Sequence, residues 1–384
     1  MKAILYNSEN SNEPLYIGET EKPTPAENEV LVKVKATALN RADLLQRAGK
    51  YPPPKRASKI LGLEIAGEVV EIGKNVTNYK IGDEVFGLIG GGGYAEYAII
   101  DAQMAISKPK SFSFEEAAAI PEVFLTAFQT IFWTLLGTTR GEKLGNGNTG
   151  IGDWELGNRE NTGNEKENTN AVAKDEGRGV RNEDIRNENN KTQKSILIHA
   201  GASGVSSAAI QICKILRMKV FVTASKSKHD FCKNLGADVV IDYESEDFAK
   251  VISEKTNEKG VNYIIDFIGQ NYWKQNIDCI AVDGKMAILA AMSGAKLENA
   301  NLSKILIKRI QITGSTLRSR SLEYQRELTK QFSEFALPLF DSDNPNKKLK
   351  PVIDSIFDWS LAELAHKHMK KNQNKGKIIL SVSE

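Results

Sequence analysis

The sequence predicts an α/β protein in two parts: a compact antiparallel β domain or partial barrel, and a doubly wound parallel sheet. Two observations predict it. The first third of the chain carries short alternating strands broken by glycines. From Ser195 onward, short apolar strands alternate with helical stretches, the order that builds a parallel sheet. With 384 residues, the chain is long enough for two domains of ordinary size.

The N-terminal run MKAILYNSEN reads as a first strand and lacks the long apolar core of a signal peptide. EVLVKVKATAL (29–39) alternates apolar and polar residues, as a half-buried strand does. LGLEIAGEVVEIG (61–73) follows suit, with glycines that mark bends or bulges. IGDEVFGLI (81–89) and YAEYAII (94–100) predict two more strands, linked by Gly90 to Gly93. In SFSFEEAAAI, Ser113 and Glu116 form a capping box at a helix start. Pro121 then opens a well-buried helix, EVFLTAFQTIFWTLLG.

From about Gly137 to Lys194 the texture changes. GNRENTGNEKENTN and RNEDIRNENNK are rich in Asn, Gly and mixed charge and almost free of aliphatic residues. Such a segment cannot bury enough apolar surface to offset its ordering entropy, so a disordered insertion over 138–194 is expected. Trp154 argues for some local contact, and both an inert and a partner-binding role stay open. Beyond it come strands ILIHA (196–200), KVFVTA (219–224), VVI (239–241), NYIIDFI (262–268), KMAILAA (285–291) and IQITG (310–314). Helices fall between most of them, including VSSAAIQICKILR (205–217). A last strand, GKIILSV (376–382), is expected to return to the first domain. The expected division is 1–123 with 318–384, and 124–317 with the insertion inside it.

Composition is 41% hydrophobic and 26% charged, that of a soluble globular protein. A net charge of +2 supplies no electrostatic reason to expect nucleic acid or an anionic membrane as partner. No apolar run reads as long enough to span a bilayer. Cys213, Cys232 and Cys279 lie far apart with no CxxC pair. They predict buried thiols in a reducing, cytoplasmic setting, neither a disulfide framework nor a cysteine-rich zinc site.

The first strand–helix junction of the second part reads HAGASGVSSAA (199–209). Gly201 and Gly204, with Ser203 and Val205 beside them, sit where a strand turns into a helix. Glycine there permits a tight turn and a close approach of backbone N–H groups to a pyrophosphate, with the helix N-terminus adding favourable polarity. Placed first among several such units, the loop predicts a dinucleotide site of the Rossmann kind. Ser206 stands where a third glycine is usual. The second strand ends in VTASKSKH, without the acidic residue that binds a ribose 2′-hydroxyl. Ser225, Lys226 and Lys228 offer donors and positive charge suited to a 2′-phosphate, which predicts NADPH. Each lysine alone also fits a solvated helix start. Tyr243, after the third strand, is placed to flank the adenosine.

A β-rich first domain, a Rossmann domain and a returning chain together resemble the medium-chain dehydrogenase/reductase superfamily. LGLEIAGEVVEIG resembles its signature segment, which begins Gly-His-Glu in the zinc enzymes. Here Gly62-Leu63-Glu64 lacks the histidine, and Asn40 stands where those enzymes have a catalytic cysteine. The four-cysteine structural zinc cluster is missing, and His199, His229, His366 and His368 lie outside the expected site. No metal is expected. ALNRADLLQRAGKYPPP, AGASGV, PEVFLTAFQ and GSTLRSR narrow the resemblance to the zinc-free quinone oxidoreductases. The subgroup is the one related to the tumour-suppressor-inducible quinone oxidoreductase and similar to zeta-crystallin. The resemblance covers nearly the whole chain apart from the insertion and implies a GroES-like first domain.

The resemblance implies that Asn40, Asp43 and Tyr51 line the interdomain cleft near the nicotinamide. Asn40 and Tyr51 would hydrogen-bond an acceptor carbonyl, and Tyr51 would also orient a ring. Asp43 fits a catalytic role or a local cap or ion pair with Arg41 or Arg47. The remaining implied cofactor contacts are Thr126, then Phe267, Ile268 and Gly269. Leu289, Ala290, Ala291 and Met292 follow, with Ser315, Thr316, Leu317 and Asn374. The implied activity is NADPH-dependent quinone reduction in a homodimer, with strands 285–291 and 310–314 at the sheet edge. Reduction of enone or enoyl double bonds, and a non-catalytic NADPH-binding role, stay open at this point.

Overall fold

The computed structural model describes residues 1–8, 10, 13–55, 57–138, 193–298, 300–345 and 348–383. The expected insertion and Trp154 lie outside the described residues. β1 (Lys2–Leu5) and β2 (Tyr16–Glu19) form an antiparallel pair. β3 (Glu29–Ala38) is the spine of the first domain, and Asn40 leads into the short helix α1 (Arg41–Arg47). Then come β4 (Glu64–Ile72), β5 (Glu84–Leu88), β6 (Tyr97–Asp101) and β7 (Ala105–Ser107). The alternating apolar residues of β3 are buried, and its neighbours β4 and β6 both pair with it antiparallel. The predicted strand from Tyr94 begins only at Tyr97, because Tyr94 turns inward and is fully buried. Gly67 on β4 faces a register shift in β3, and a side chain there would drive into the Lys33 carbonyl.

α2 (Phe114–Ala118) carries the expected capping box, with Ser113 Oγ accepting from the Glu116 N–H. α3 (Pro121–Phe128) starts at Pro121 and continues as a wider, π-type turn over Gln129–Leu136. This corrects one expectation: the helical run Phe114–Leu136 is long and apolar enough to cross a membrane by composition alone. Its rings are packed instead within the protein, Phe124 against Phe340 at 5.2 Å and Phe132 against Phe335 at 5.1 Å between centroids. Burial of this kind fills a core with the same residues a bilayer would take.

The second part runs β8 (Ser195–Ile198), α4 (Gly204–Ile215), β9 (Lys219–Thr223), α5 (His229–Asn234) and β10 (Val239–Ile241). It continues with α6 (Phe248–Lys255), β11 (Val261–Asp266), α7 (Trp273–Cys279), β12 (Ile280–Ile288), α8 (Ser303–Lys308) and β13 (Gln311–Gly314). The six strands are all parallel, in the order β10-β9-β8-β11-β12-β13. Strand order reverses between β8 and β11, the place where a doubly wound sheet opens a crevice for ligands. β12 lies between β11 and β13, so it is interior and not at the edge as expected; β13 alone ends that side. β12 also starts at Ile280 and ends at Ile288, which leaves 289–292 as a loop at its carboxyl end.

The chain closes with α9 (Leu322–Phe340), β14 (Ile353–Asp358), α10 (Ala362–Lys370) and β15 (Lys377–Ser381). β15 pairs antiparallel with β3, and β14 lies parallel to it. The first sheet therefore reads β14-β15-β3-β4-β5-β7, with β6 also on β3. The three cysteines are free and buried, as expected.

Candidate active site

The glycine loop joins β8 to α4. Ser203 caps the helix, its Oγ accepting from the Ser206 N–H, and it bridges in parallel to Gly376, whose N–H donates to Ala202 O at 2.9 Å. Gly201 N–H donates to Thr223 O at 2.9 Å. A Cβ on Gly201 would sit 3.0 Å from Val222 Cβ, and one on Gly204 would sit 2.8 Å from Val123 Cγ1. A side chain at Gly204 would force a shift in α3, and one at Gly201 would press tightly on Val222 and Cys232. Ser206, in the place of a third glycine, is fully buried and donates to His199 O at 2.8 Å. The hydroxyl ties helix to strand at this position.

At the end of β9, Ser225, Lys226 and Lys228 follow one another into a single turn. Lys228 Nζ donates to the carbonyls of Asn372 at 2.7 Å and Asn374 at 3.1 Å. The fold thus joins Lys228 to Asn374, which the sequence separates by 146 residues. Lys226 and Tyr243 are exposed beyond the same carboxyl ends of the strands.

The loops after β11 and β12 are bound to each other. Met292 N–H donates to Phe267 O and Ser293 N–H to Ile268 O, at 3.1 and 2.9 Å. Gly269 adopts φ +83° against Ala291, a conformation that favours glycine. Beneath them, Asp266 accepts from the N–H groups of Ile268 and Gly269, and burial raises its carboxyl above the usual range. Leu289 and Ala290 complete this wall, with Leu289 N–H donating to Asp266 O. On the facing helix, Gln129 Nε2 donates to Ser315 Oγ at 2.7 Å and to Thr316 O at 3.2 Å. Gln129 Oε1 and Thr126 Oγ1 are buried without any partner. Leu317 is buried alongside. Gln129, one helical turn beyond Thr126 and not singled out by the sequence reading, thus holds Ser315 and Thr316.

The predicted catalytic trio separates into two environments. Asn40 is buried, with its Nδ2 donating to Glu64 Oε1 at 2.8 Å and its Oδ1 accepting from Lys377 Nζ at 2.7 Å. Lys377 Nζ also donates to Glu64 Oε1 at 2.6 Å and to Leu39 O at 2.8 Å. Asp43 is buried and accepts from the N–H groups of Asn40 at 2.7 Å and Gly62 at 3.1 Å. That is the local cap, and neither Arg41 nor Arg47 pairs with it: Arg47 pairs with Glu363 and Arg41 reaches Asn372. Burial pushes the Asp43 carboxyl up to about 6. Tyr94 Oη lies 3.4 Å from Asp43 Oδ2 and 3.2 Å from His366 Nε2. His366, placed away from the site by sequence, is therefore linked to it through one tyrosine.

Tyr51 is different. Its hydroxyl has no hydrogen-bond partner among the described residues, and its ring lies 5.4 Å from the Arg318 guanidinium carbon. Arg318 is itself buried; its Nε donates to Gly90 O at 3.0 Å and its Nη2 to Gln46 Oε1 at 2.8 Å. Its Nη1 has no partner. Glu122, next to Pro121, completes this end of the cleft, and burial followed by the Glu64 charge pushes its carboxyl up to about 7. Sequence reading missed Arg318, Glu122 and Lys377. Arg318 sits one residue after the expected contact Leu317, and Glu122 one residue after Pro121, the expected helix start.

The residues present fit a nicotinamide dinucleotide. The glycine-containing helix start suits a pyrophosphate, and the orphaned Thr126 Oγ1 and Gln129 Oε1 suit a polar ring substituent. They do not fit zinc. Glu64 and Asn40 already hold the Lys377 ammonium between them. Among the described residues no cluster of three or more His, Cys, Asp or Glu is arranged to bind a metal.

Comparison with known proteins agrees with this architecture. Residues 26–110 match the alcohol dehydrogenase GroES-like domain, and 204–336 match the zinc-binding dehydrogenase family. The chain is 28% identical to a chloroplast envelope quinone oxidoreductase homolog of Arabidopsis thaliana, over 99% of this chain and 98% of that one. It is 26% identical to the synaptic vesicle membrane protein VAT-1 homolog of Danio rerio, over 94% of this chain but 65% of that protein. A trans-enoyl reductase of Aspergillus flavipes is 31% identical over 65% of this chain and 61% of its own. Among solved structures, the quinone oxidoreductase from Coxiella burnetii superposes with TM-score 0.67 at 27% identity, covering 100% of this chain and 99% of that one.

Proposed function

This chain belongs to the medium-chain dehydrogenase/reductase superfamily of oxidoreductases, and on that premise we propose that it reduces quinones by zinc-independent hydride transfer from NADPH. The observation that carries the reading is Tyr51, whose hydroxyl has no partner among the described residues and whose ring lies 5.4 Å from the guanidinium carbon of buried Arg318, one nitrogen of which, Nη1, is also without a partner. A bound nicotinamide supplies the hydride. Thr126, Gln129 and the Ser315–Thr316 backbone hold its ring end, and the glycine loop holds its phosphates. Ser225, Lys226 and Lys228, with no acid at the end of β9, support the phosphorylated cofactor.

The chain's own residues handle the acceptor. Tyr51 donates a hydrogen bond to the acceptor oxygen, and Arg318 Nη1 favours negative charge as it develops there. Arg318 is anchored to Gly90 and Gln46, so it is oriented before the acceptor arrives. Asn40, Glu64 and Lys377 form the floor, and Asp43 ties the start of α1 to Gly62. An activated acceptor does not need a strong acid, and the weakly acidic Tyr51 hydroxyl suffices to donate to its oxygen. The similarity to a trans-enoyl reductase supports a second reading, in which the same clamp holds an enone or enoyl carbonyl.

We further propose a homodimer in a reducing compartment. β13 ends its sheet with an unpaired edge, and Leu302, Leu306 and Ile307 beside it are 67%, 78% and 72% exposed. A second copy placed on this face would cover both edge and apolar patch. The test of function is loss of NADPH absorbance with a panel of quinones and enones, with NADH in parallel. Turnover of quinones with NADPH ahead of NADH supports the reading. Turnover of enones alone moves it to double-bond reduction. Tight NADPH binding with no turnover of either class overturns it.

A further inference from the structure

We propose that His199 is a positioning residue for the cofactor: as a neutral imidazole with its proton on Nε2, it fixes the loop after β11 in place relative to the glycine loop. The inference rests on the reading of those two loops as the ribose and phosphate contacts of a nicotinamide dinucleotide, and it adds the residue that spaces them. His199 directly follows β8, at the point where the strand order reverses. It is fully buried. Its backbone N–H donates to Ile265 O on β11 at 3.1 Å, and its carbonyl accepts from Ser206 Oγ on α4 at 2.8 Å. The main chain of this one residue therefore joins both sides of the crevice.

The ring extends the link. Nδ1 lies 3.0 Å from Thr223 Oγ1 at the end of β9, and Nε2 lies 2.7 Å from Asn276 Oδ1 on α7. Asn276 Nδ2 donates to Asp266 Oδ2 at 3.2 Å. Asp266 Oδ1 accepts from the N–H groups of Ile268 at 2.7 Å and Gly269 at 3.2 Å, in the loop expected beside the ribose. Thr223, Asn276 and Asp266 are as fully buried as the histidine, and Phe248 and Tyr272 pack on the imidazole with centroids at 5.0 and 4.7 Å. The direction of each bond follows from Asp266. It takes three N–H donors, the pattern of an ionised carboxylate, and a carboxylate only accepts. Its two backbone donors also oppose the effect of burial on it. Asn276 must then turn its amide nitrogen to Asp266 and its oxygen to His199. That oxygen needs a donor, so Nε2 carries the proton and Nδ1 accepts from the Thr223 hydroxyl.

The two ends of this chain of bonds differ in their other supports. Thr223 belongs to β9, which is paired with β8 on one side and β10 on the other. Residues 267–269 lie beyond β11, outside any ladder, and two of their N–H groups rest on Asp266. Loss of the imidazole leaves the buried Asn276 oxygen without a donor, frees that amide to turn and takes the third donor from Asp266. The Ser206 bond to the residue 199 carbonyl is untouched, so the glycine loop keeps its place while the ribose loop shifts. His199 acts through Asp266 and touches neither cofactor nor acceptor.

The experiment uses the full chain and two ligands in calorimetry. One is NADPH; the other is adenosine 2′,5′-bisphosphate, which carries the adenosine and 2′-phosphate but no nicotinamide and no second ribose. His199→Phe is expected to raise the Kd for NADPH about tenfold and to leave the Kd for the bisphosphate unchanged. His199→Gln, whose amide nitrogen can donate to Asn276, is expected to recover most of the loss. A general loosening of the fold would weaken both ligands together; that result, or an unchanged Kd for NADPH in His199→Phe, overturns the proposal. Should His199→Phe fold poorly, nitrogen NMR of the histidine-labelled wild type decides, with His199 identified as the signal lost in His199→Gln. A neutral ring protonated on Nε2 at neutral pH is expected, and a charged ring or a proton on Nδ1 overturns the proposal. A wild type that binds neither ligand sinks the cofactor reading and this inference with it, whereas NADPH binding that ignores His199→Phe sinks the inference alone.

Discussion

Lys377 does more for the site than its place near the chain's end suggests. Its buried ammonium makes three bonds, to Leu39 O, Asn40 Oδ1 and Glu64 Oε1. Burying two charges costs desolvation, and the extra bonds offset it; removing one partner leaves the other charge uncompensated. Lys377→Met is expected to lower stability by about 3–5 kcal/mol in urea unfolding, and adding Glu64→Gln to recover most of it. A single variant as stable as the wild type contradicts this account. Tyr51→Phe tests the other half of the site. It should lower kcat by about 10²-fold with the Kd for NADPH unchanged, read by stopped flow and fluorescence titration. His366 offers a pH test. Burial, then Arg47, hold its imidazole down to about 3, so it is neutral when folded and gains a proton on unfolding. A depressed folded value means stability is complete above about 6.5 and is lost as pH falls toward 3. His366→Gln is expected to flatten that part of the acid slope in a series of urea midpoints; an unchanged slope rules it out.

At the scale of elements, the cofactor end depends on one close approach. α4 starts so near α3 that a side chain on Gly204 would press on Val123, and its Ser203 pairs with Gly376 just before β15. Gly204→Val is expected to push the helix start outward and weaken NADPH binding by about tenfold or more, measured by calorimetry. Unchanged affinity would show that the loop has slack the geometry denies it. The edge strand β13 makes a separate prediction. Leu306→Glu with Ile307→Lys should convert a dimer to a monomer in analytical ultracentrifugation, because both side chains are exposed and no other described element covers them. A wild type that is already monomeric removes the dimer proposal.

At the scale of the molecule, the chain is sewn shut by its own end. β15 joins β3, and its first residue is Lys377, so the last strand completes both a sheet and the floor of the cleft. The aromatic rings of α9 close over α3 from the other side. Truncation before residue 377 is therefore expected to abolish cooperative thermal unfolding, and not merely to lower Tm, because it opens the sheet and strands Glu64 at once.

The sequence by itself determined the α/β class, the alternation that makes the second sheet parallel, the glycine loop and the returning strand. These rest on local periodicity and on close approaches that favour glycine, and both are written residue by residue. It also marked Asn40, Asp43 and Tyr51 as a group, but not that Asn40 and Asp43 are held below while Tyr51 stays free. The tertiary structure alone decided that division, together with the interior place of β12, the link from Lys228 to Asn374 and the assembly of Gln129, Glu122, Arg318 and Lys377. Each depends on which distant segments meet and on how deeply charge is buried there. Spacing along a chain carries neither, because hydrogen-bond partners and desolvation are properties of the packed interior.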